Sequence, residues 1–263
     1  MMETATATLS TPFALLLLGA GVLAGAANAV AGGGTFFTFP AFLAAGLPPV
    51  VANASNAVAV WPGHALAVVG YRRELATFAQ GMTGSIVIAL GGGIAGSLQL
   101  AWVDNAAFAK LIAFMLLFAT CLFGVGARIS GRLAAPAAAN GWGERGAAAR
   151  VCEFCFAVYG GFFGAGLGVM LMAGLLMLGV NDLQTNNALK NLLAALVTSV
   201  SVAIFAAKGL VSWPHTLVTF VGAVVGGLLG AKAARLLPAM WLRRVVVAIG
   251  LALSVYYFKK YYA

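Results

Sequence analysis

Two groups of polar residues stand out in an apolar chain: Asn53, Ser55 and Asn56, and then Asn186, Asn187, Lys190 and Asn191. On a helix Asn187, Lys190 and Asn191 are spaced i, i+3, i+4 and share one face, as do Asn53 and Asn56. Lys190 lies about two turns, or about 10 Å, in from Asp182. An ammonium at that depth in lipid is costly, and a functional role is the default reading. The competing reading is that the lysine snorkels to the headgroups or pairs with Asp182.

Each polar group follows a glycine cluster, Gly32, Gly33 and Gly34 in one case and Gly164, Gly166 and Gly168 in the other. Glycine costs a helix about 1 kcal/mol relative to alanine, so the helix is expected to break there. Within a membrane such a break leaves backbone N–H groups that face protein or a polar cavity, and a helix start suits an anion. Gly33, Gly34, Gly166 and Gly168 are therefore expected to face a ligand. Gly92, Gly93, Gly226 and Gly227 sit within unbroken apolar runs and are expected to serve close helix packing.

The carboxylates Glu3, Glu74, Asp104, Glu144, Glu153 and Asp182 all fall in or beside loops. His64, which follows Pro62 within an apolar run, is a candidate coupling residue, although a structural hydrogen-bonding role is favoured. The remaining chemistry is amide, hydroxyl, backbone N–H and one cation, a set that suits a small oxyanion. No catalytic residue, metal site or cofactor is expected. Ser55 with His64 or His215 is a conceivable intramembrane hydrolase pair, but nothing in the spacing recommends it. Cys152-x-x-Cys155 lacks further ligands nearby and reads as apolar filler.

These residues need a framework, and the composition supplies it. Of 263 residues, 62% are hydrophobic and 8% charged, with a mean hydropathy of +1.01. Soluble domains carry about 25% charged residues, so an all-α, polytopic integral membrane protein is expected. The net charge of +9 is scattered over short loops, which fits membrane orientation and argues against a nucleic-acid partner. The stretch 11–30 lacks a basic leader and recurs in the second half, so it is expected to belong to the fold and not to be cleaved.

Sliding the chain by about 134 positions lays its second half on its first. Gly32 and Gly34 then fall on Gly166 and Gly168, Asn53 on Asn187, Asn56 on Lys190, and Lys110 on Arg244. A first repeat over 1–128, a linker over 129–150 and a second repeat over 151–263 are expected. Apolar runs at 11–31, 50–70, 78–100 and 108–127, and at 151–164, 185–207, 215–236 and 242–258, give about eight transmembrane segments. The pieces 35–45 and 169–179 after the glycine clusters are short for a crossing and read as broken or re-entrant helices.

If 11–46 forms one broken crossing, the halves share an orientation. If it folds back as a hairpin with the glycines at its tip, the halves are inverted. Arg72, Arg73, Arg145, Arg150, Arg235, Arg243 and Arg244 then share one side, opposite Lys110, Lys208, Lys259 and Lys260. The second arrangement obeys the positive-inside rule better and puts both termini outside. A duplicated membrane protein with polar residues at equivalent depths reads as a transporter whose site lies between its halves, with an anion channel as the alternative.

The motifs Gly32-Gly33-Gly34, Pro40, Gly46-Leu47-Pro48-Pro49, Ala52-Asn53-Ala54-Ser55-Asn56 and Tyr71-Arg72-Arg73-Glu74-Leu75 occur in the first half. Asn187-Ala188-Leu189-Lys190-Asn191, Gly209-Leu210-Val211, Trp213-Pro214, Gly230-Ala231-Lys232 and Arg243-Arg244 follow in the second. In this order, from about Phe13 to Tyr257, the chain resembles the TauE/SafE family of sulfite exporters and toluene-sulfonate permeases. The resemblance implies a bacterial inner-membrane permease for sulfite or organosulfonates, built from two homologous halves. Two features depart from the pattern: Ser212 stands where relatives commonly carry an acidic residue, and nothing in the second half matches Pro40. The expectation is alternating access for a small sulfur anion, with export favoured, in a lipid bilayer and compatible with a homodimer. Gly33, Gly34, Asn53, Ser55, Asn56, Gly166, Gly168, Asn187, Lys190 and Asn191 would bind the substrate.

Overall fold

The structure is a computed structural model that describes residues 9–30, 33–77, 82–133, 147–177, 180, 182–233 and 239–262. Those residues form helices and no strand. The order is α1 (Thr11–Val30), α2 (Thr35–Ala44), α3 (Pro49–Gly70), α4 (Arg72–Thr77), α5 (Met82–Trp102) and α6 (Asn105–Leu133). Then follow α7 (Ala147–Phe162), α8 (Leu167–Met177), α9 (Leu183–Ala207), α10 (Trp213–Ala233) and α11 (Ala239–Tyr262). Four segments are long and apolar enough to cross a bilayer: Thr11–Asn28, Met82–Trp102, Asn105–Val125 and Gln184–Ala207. Shorter apolar stretches lie at Thr35–Ala44, Leu167–Leu176 and Trp213–Leu228. The chain is thus an all-helical, multi-pass membrane protein.

Both short helices fold back on the helix before them. The Gly34 N–H donates to Asn28 Oδ1 at 2.8 Å, and a Cβ on Gly34 would lie 2.7 Å from Ala24 O. An uninterrupted helix would separate residues 24 and 34 by about 15 Å, so the chain reverses here. Gly33, at φ +90°, makes that turn. Likewise α8 returns along α7, with Gly160 against Leu167 and Gly174 against the Phe156 ring. α6 continues to Leu133 and α7 starts at Ala147, each reaching into the stretch read from sequence as a linker. Arg145 and Arg235 lie outside the described residues.

Running directions follow from the contacts. Gly21 meets Thr219 and Gly25 meets Ala223, so α1 and α10 are parallel; Gly92 meets Ala157 and Gly96 meets Val158 and Phe162, so α5 and α7 are parallel. Tyr262 reaches Lys110 while Gly250 meets Thr120, making α6 and α11 antiparallel. His64 meets Asn191 and Trp61 meets Ser199, making α3 and α9 antiparallel. At the parallel seams a Cβ on Gly25, Gly96 or Gly226 would stand 2.0 Å from a carbonyl oxygen of the neighbouring helix. The absent side chains let the backbones touch, the usual source of helix association where lipid removes the hydrophobic drive. Gly227 departs from the expected packing role, since a Cβ there meets nothing within 4 Å.

Aromatic side chains fill the space between the hairpins. Phe36, Phe39 and Phe42 of α2 are completely buried. Phe39 meets Phe163 edge-on at 5.4 Å, and Phe36 meets Phe123 at 6.0 Å. Leu15, Leu16 and Leu23 on α1, Phe114, Leu117 and Phe118 on α6, and Leu217, Val221 and Leu228 on α10 are exposed. Such apolar belts face lipid.

Candidate functional site

Asp182 starts α9 as its N-cap, accepting from the Thr185 N–H at 2.8 Å. The Thr185 hydroxyl, and after it the Thr185 N–H, hold the Asp182 carboxyl below the ordinary carboxylate value. Asn186, one turn on, anchors the helix to what precedes it, with Nδ2 donating to Val180 O at 3.1 Å and to Met172 O at 3.3 Å. The next face carries Asn187, Lys190 and Asn191.

Lys190 Nζ donates to Asn187 Oδ1 at 3.0 Å. No ion pair of Lys190 is found among the described residues, and Asp182 is engaged in its own cap. Asn191 Nδ2 donates to Asn187 O at 2.9 Å, and its Oδ1 meets His64 Nδ1, on α3, at 3.4 Å. The lysine stem passes Gly168 in the first turn of α8, where a Cβ would stand 3.8 Å from Lys190 Cδ. Gly166 makes the preceding turn at φ +77° beside Ala119 of α6. Lys190, Asn187, Asn191, His64 and Gly168 are all partly buried. The structure thus gathers one ammonium and two carboxamides of α9 and an imidazole of α3 at one place, beside Gly168 of α8.

The corresponding residues of the first half are held differently. Asn56 Oδ1 accepts from the Thr38 hydroxyl, and its Nδ2 donates to Thr35 Oγ1 at 3.5 Å. Thr38 Oγ1 also lies 3.3 Å from Gly34 O, an alternative acceptor for its one proton, which ties Gly34 to the same network. Asn53 Nδ2 donates to Phe162 O at 2.9 Å, and Asn53 Oδ1 is buried with no partner among the described residues. The Ser55 hydroxyl accepts from the Ser212 N–H at 2.9 Å. Gly33 packs on the Phe123 ring. Asn53, Ser55 and Asn56 are therefore gathered on the other stretch of α3, apart from the Lys190 group.

Several polar residues went unremarked in the sequence. Asn28 closes the first hairpin, and Thr35 and Thr38 hold Asn56. Trp61 Nε1 joins Ser199 Oγ across α3 and α9 at 2.8 Å. Ser97 donates toward Gly93 O at 2.7 Å, and its Oγ lies 2.7 Å from Ser201 Oγ where α5, α7 and α9 meet. The i, i+3 spacing of Thr35 and Thr38 in the short piece after the glycines was the available signal. His215 is buried beside Ser212 Oγ at 2.8 Å and lies outside both groups. A surface depression of about 480 Å³ lined by Val69, Gly70, Arg72, Arg73 and Glu74 opens where α3 ends, and it holds none of the Lys190 group.

A helical bundle of this kind, with broken hairpins and a lysine held among carboxamides within it, belongs to the class of multi-pass membrane transporters. Residues 17–257 match the model of the family described as sulfite exporter TauE/SafE, and the chain belongs to that family. It is 26% identical over 248 residues to a "Probable membrane transporter protein" of Haemophilus influenzae, covering 91% of this chain and 92% of that one. It is 24% identical over 244 residues to "Probable membrane transporter protein ORF9" of a Sinorhizobium species, covering 90% and 88%. No solved structure matches the chain.

Proposed function

We propose that the protein carries a small sulfur-containing anion, sulfite or an organosulfonate, through a bacterial inner membrane by alternating access. The observation that carries this reading is the Lys190 ammonium, partly buried and held by the Asn187 carboxamide at 3.0 Å. A cation whose partner is neutral retains its charge for a solute. Gly168 leaves room beside the lysine stem, and Asn187, Asn191 and His64 supply polar atoms around it.

The reading takes the chain as two repeats in opposite orientation. Packing partners occur in matched sets: α1 on α10 and α7 on α5, α3 on α10 and α9 on α5, α2 on α11 and α8 on α6. The antiparallel pairs α3 with α9 and α6 with α11 support a dyad in the membrane plane. This arrangement sets Arg72, Arg73, Arg150 and Arg244 at one end and Lys110, Lys208, Lys259 and Lys260 at the other. The arginine end is cytoplasmic by the positive-inside rule. An anion moving outward across an inside-negative membrane releases about 2.3 kcal/mol per charge per 100 mV, so export needs no coupling ion.

The test is binding and flux of purified full-length protein. Sulfite, thiosulfate, sulfate, sulfoacetate and taurine are screened by thermal shift, and the anion that stabilises is followed into proteoliposomes. Saturable flux with counterflow supports a carrier, and non-saturating conductance would instead indicate a channel of the same fold. The absence of both binding and flux for every anion would remove the assignment.

A further inference from the structure

Equivalent positions in the two halves stand in opposite states. Asn53 and Asn56 are only 2% exposed, whereas their counterparts Asn187 and Lys190 are partly open. The closed set is also fastened across the halves. Ser212, in the turn between α9 and α10, donates its N–H to Ser55 Oγ at 2.9 Å. Phe162, the last residue of α7, accepts from Asn53 Nδ2 at 2.9 Å. Both bonds join α3 to second-half segments near the end of the bundle opposite Arg72 and Asp182. On the Lys190 side α3 meets α9 through the long His64–Asn191 approach of 3.4 Å, with Trp61 Nε1 on Ser199 Oγ at 2.8 Å further along the same pair and Arg150 on Ser85 Oγ at 3.2 Å joining α7 to α5; Lys190 itself is held by its own helix.

We propose that Asn53 and Ser55 form a latch with Phe162 and Ser212 that seals the outer end of the pathway while Lys190 is open to the arginine end. Release of the solute outward then requires both bonds to part. The latch is built from weak, exchangeable bonds: a hydroxyl accepting from a loop N–H and a carboxamide donating to a helix C-terminal carbonyl. Each can part without leaving a charge unpaired. The Asn53 Oδ1 atom, buried with no partner among the described residues, weighs against an over-stable sealed state. The inference rests on the inverted arrangement proposed above, and the labelling readout of its test does not need the substrate to be known.

The experiment uses the full chain with Cys121, Cys152 and Cys155, all exposed, changed to serine. Ser55→Cys and Ser212→Cys are combined and bridged by oxidation to a disulfide or by a short bis-methanethiosulfonate reagent, which forms a disulfide with each thiol and releases two sulfinates. Bridging is expected to stop flux and dithiothreitol to restore it. With Asn187→Cys added as a reporter, an impermeant maleimide is expected to label the bridged protein from the arginine face and not from the opposite face. In an unbridged Ser55→Ala chain, labelling of that reporter from the opposite face is expected to rise about fivefold, the population shift of one net hydrogen bond. Failure of the pair to bridge, unchanged flux when bridged, labelling from the opposite face, or an unchanged Ser55→Ala chain would each overturn the latch. Labelling as expected with no flux of any sulfur anion would leave the latch standing and remove the substrate reading.

Discussion

Replacing Lys190 with alanine is the sharpest perturbation of the proposed site. Among the described residues the ammonium has one hydrogen-bond partner, Asn187 Oδ1 at 3.0 Å. Its removal leaves that carbonyl oxygen unpaired in a partly open place, a cost of at most about 1–3 kcal/mol and smaller where water reaches it. Loss of attraction for an anion is larger. Two unit charges about 4 Å apart at an effective dielectric near 20 interact by about 4 kcal/mol, close to three decades in affinity. Lys190→Ala is therefore expected to lower anion affinity by about 10²–10³-fold and abolish measurable flux, with expression and thermal stability in detergent little changed. Lys190→Arg keeps the charge and should retain part of the flux. Asn187→Asp sets a carboxylate where the ammonium already points, and should weaken anion binding almost as much as removing the lysine. The assay is labelled-anion uptake into proteoliposomes, paired with titration calorimetry on the same preparations. Binding by Lys190→Ala within tenfold of the parent would refute the assignment of charge neutralisation to this residue.

Three further outcomes follow from the packing and the caps. Gly96→Ala would drive a Cβ to 2.0 Å from Val158 O; it should lower stability by about 1–3 kcal/mol, whereas Gly227→Ala, with open space around it, should be neutral in the same thermal-unfolding assay. Asn56→Ala removes the partner of the Thr38 and Thr35 hydroxyls in a buried network; a loss of about 1–3 kcal/mol is expected, read as a lower unfolding temperature. The Asp182 carboxyl is held below its ordinary 3.8 by the Thr185 hydroxyl and N–H, so its cap contributes at pH values above 3.8 and is lost as pH falls through the lowered folded value. Asp182→Asn keeps a capping acceptor and should flatten that acid-side slope, checked by unfolding scans from about pH 6 to about pH 2.

The fold was legible where the chain is repetitive or apolar. The glycine clusters marked both hairpins because three glycines, or alternating ones, cannot hold a helix against the cost of ordering them. The short pieces after them are the helices Thr35–Ala44 and Leu167–Met177, close to the expected limits. The packing role of Gly92, Gly93 and Gly226 was also readable, since small residues inside long apolar runs have little other use. Gly227 was not separable from Gly226 in sequence, because which face of α10 meets α1 is decided by the partner helix. The continuation of α6 to Leu133 was hidden by the charge and glycine of that stretch, which read as a loop.

The site was legible only in part, and the reason is register across helices. Spacing along α9 puts Asn187, Lys190 and Asn191 on one face, and the structure has Lys190 and Asn191 both bonded to Asn187. Nothing in spacing says that His64 of α3 would meet Asn191, or that Asn56 would be bound by Thr35 and Thr38. The duplication expected from sequence made Asn56 and Lys190 look like two halves of one binding site. Their surroundings differ because Val169 and Met170 follow Gly168, whereas Thr35 follows Gly34 and Thr38 lies one turn on. The hydroxyls on α2 hold a carboxamide closed, and the apolar first turn of α8 offers Lys190 no such partner. An ammonium without an acceptor in that first turn of α8 is the group left to meet a solute, so the difference between the two proposed repeats favours Lys190 as the charge that the proposed transport requires.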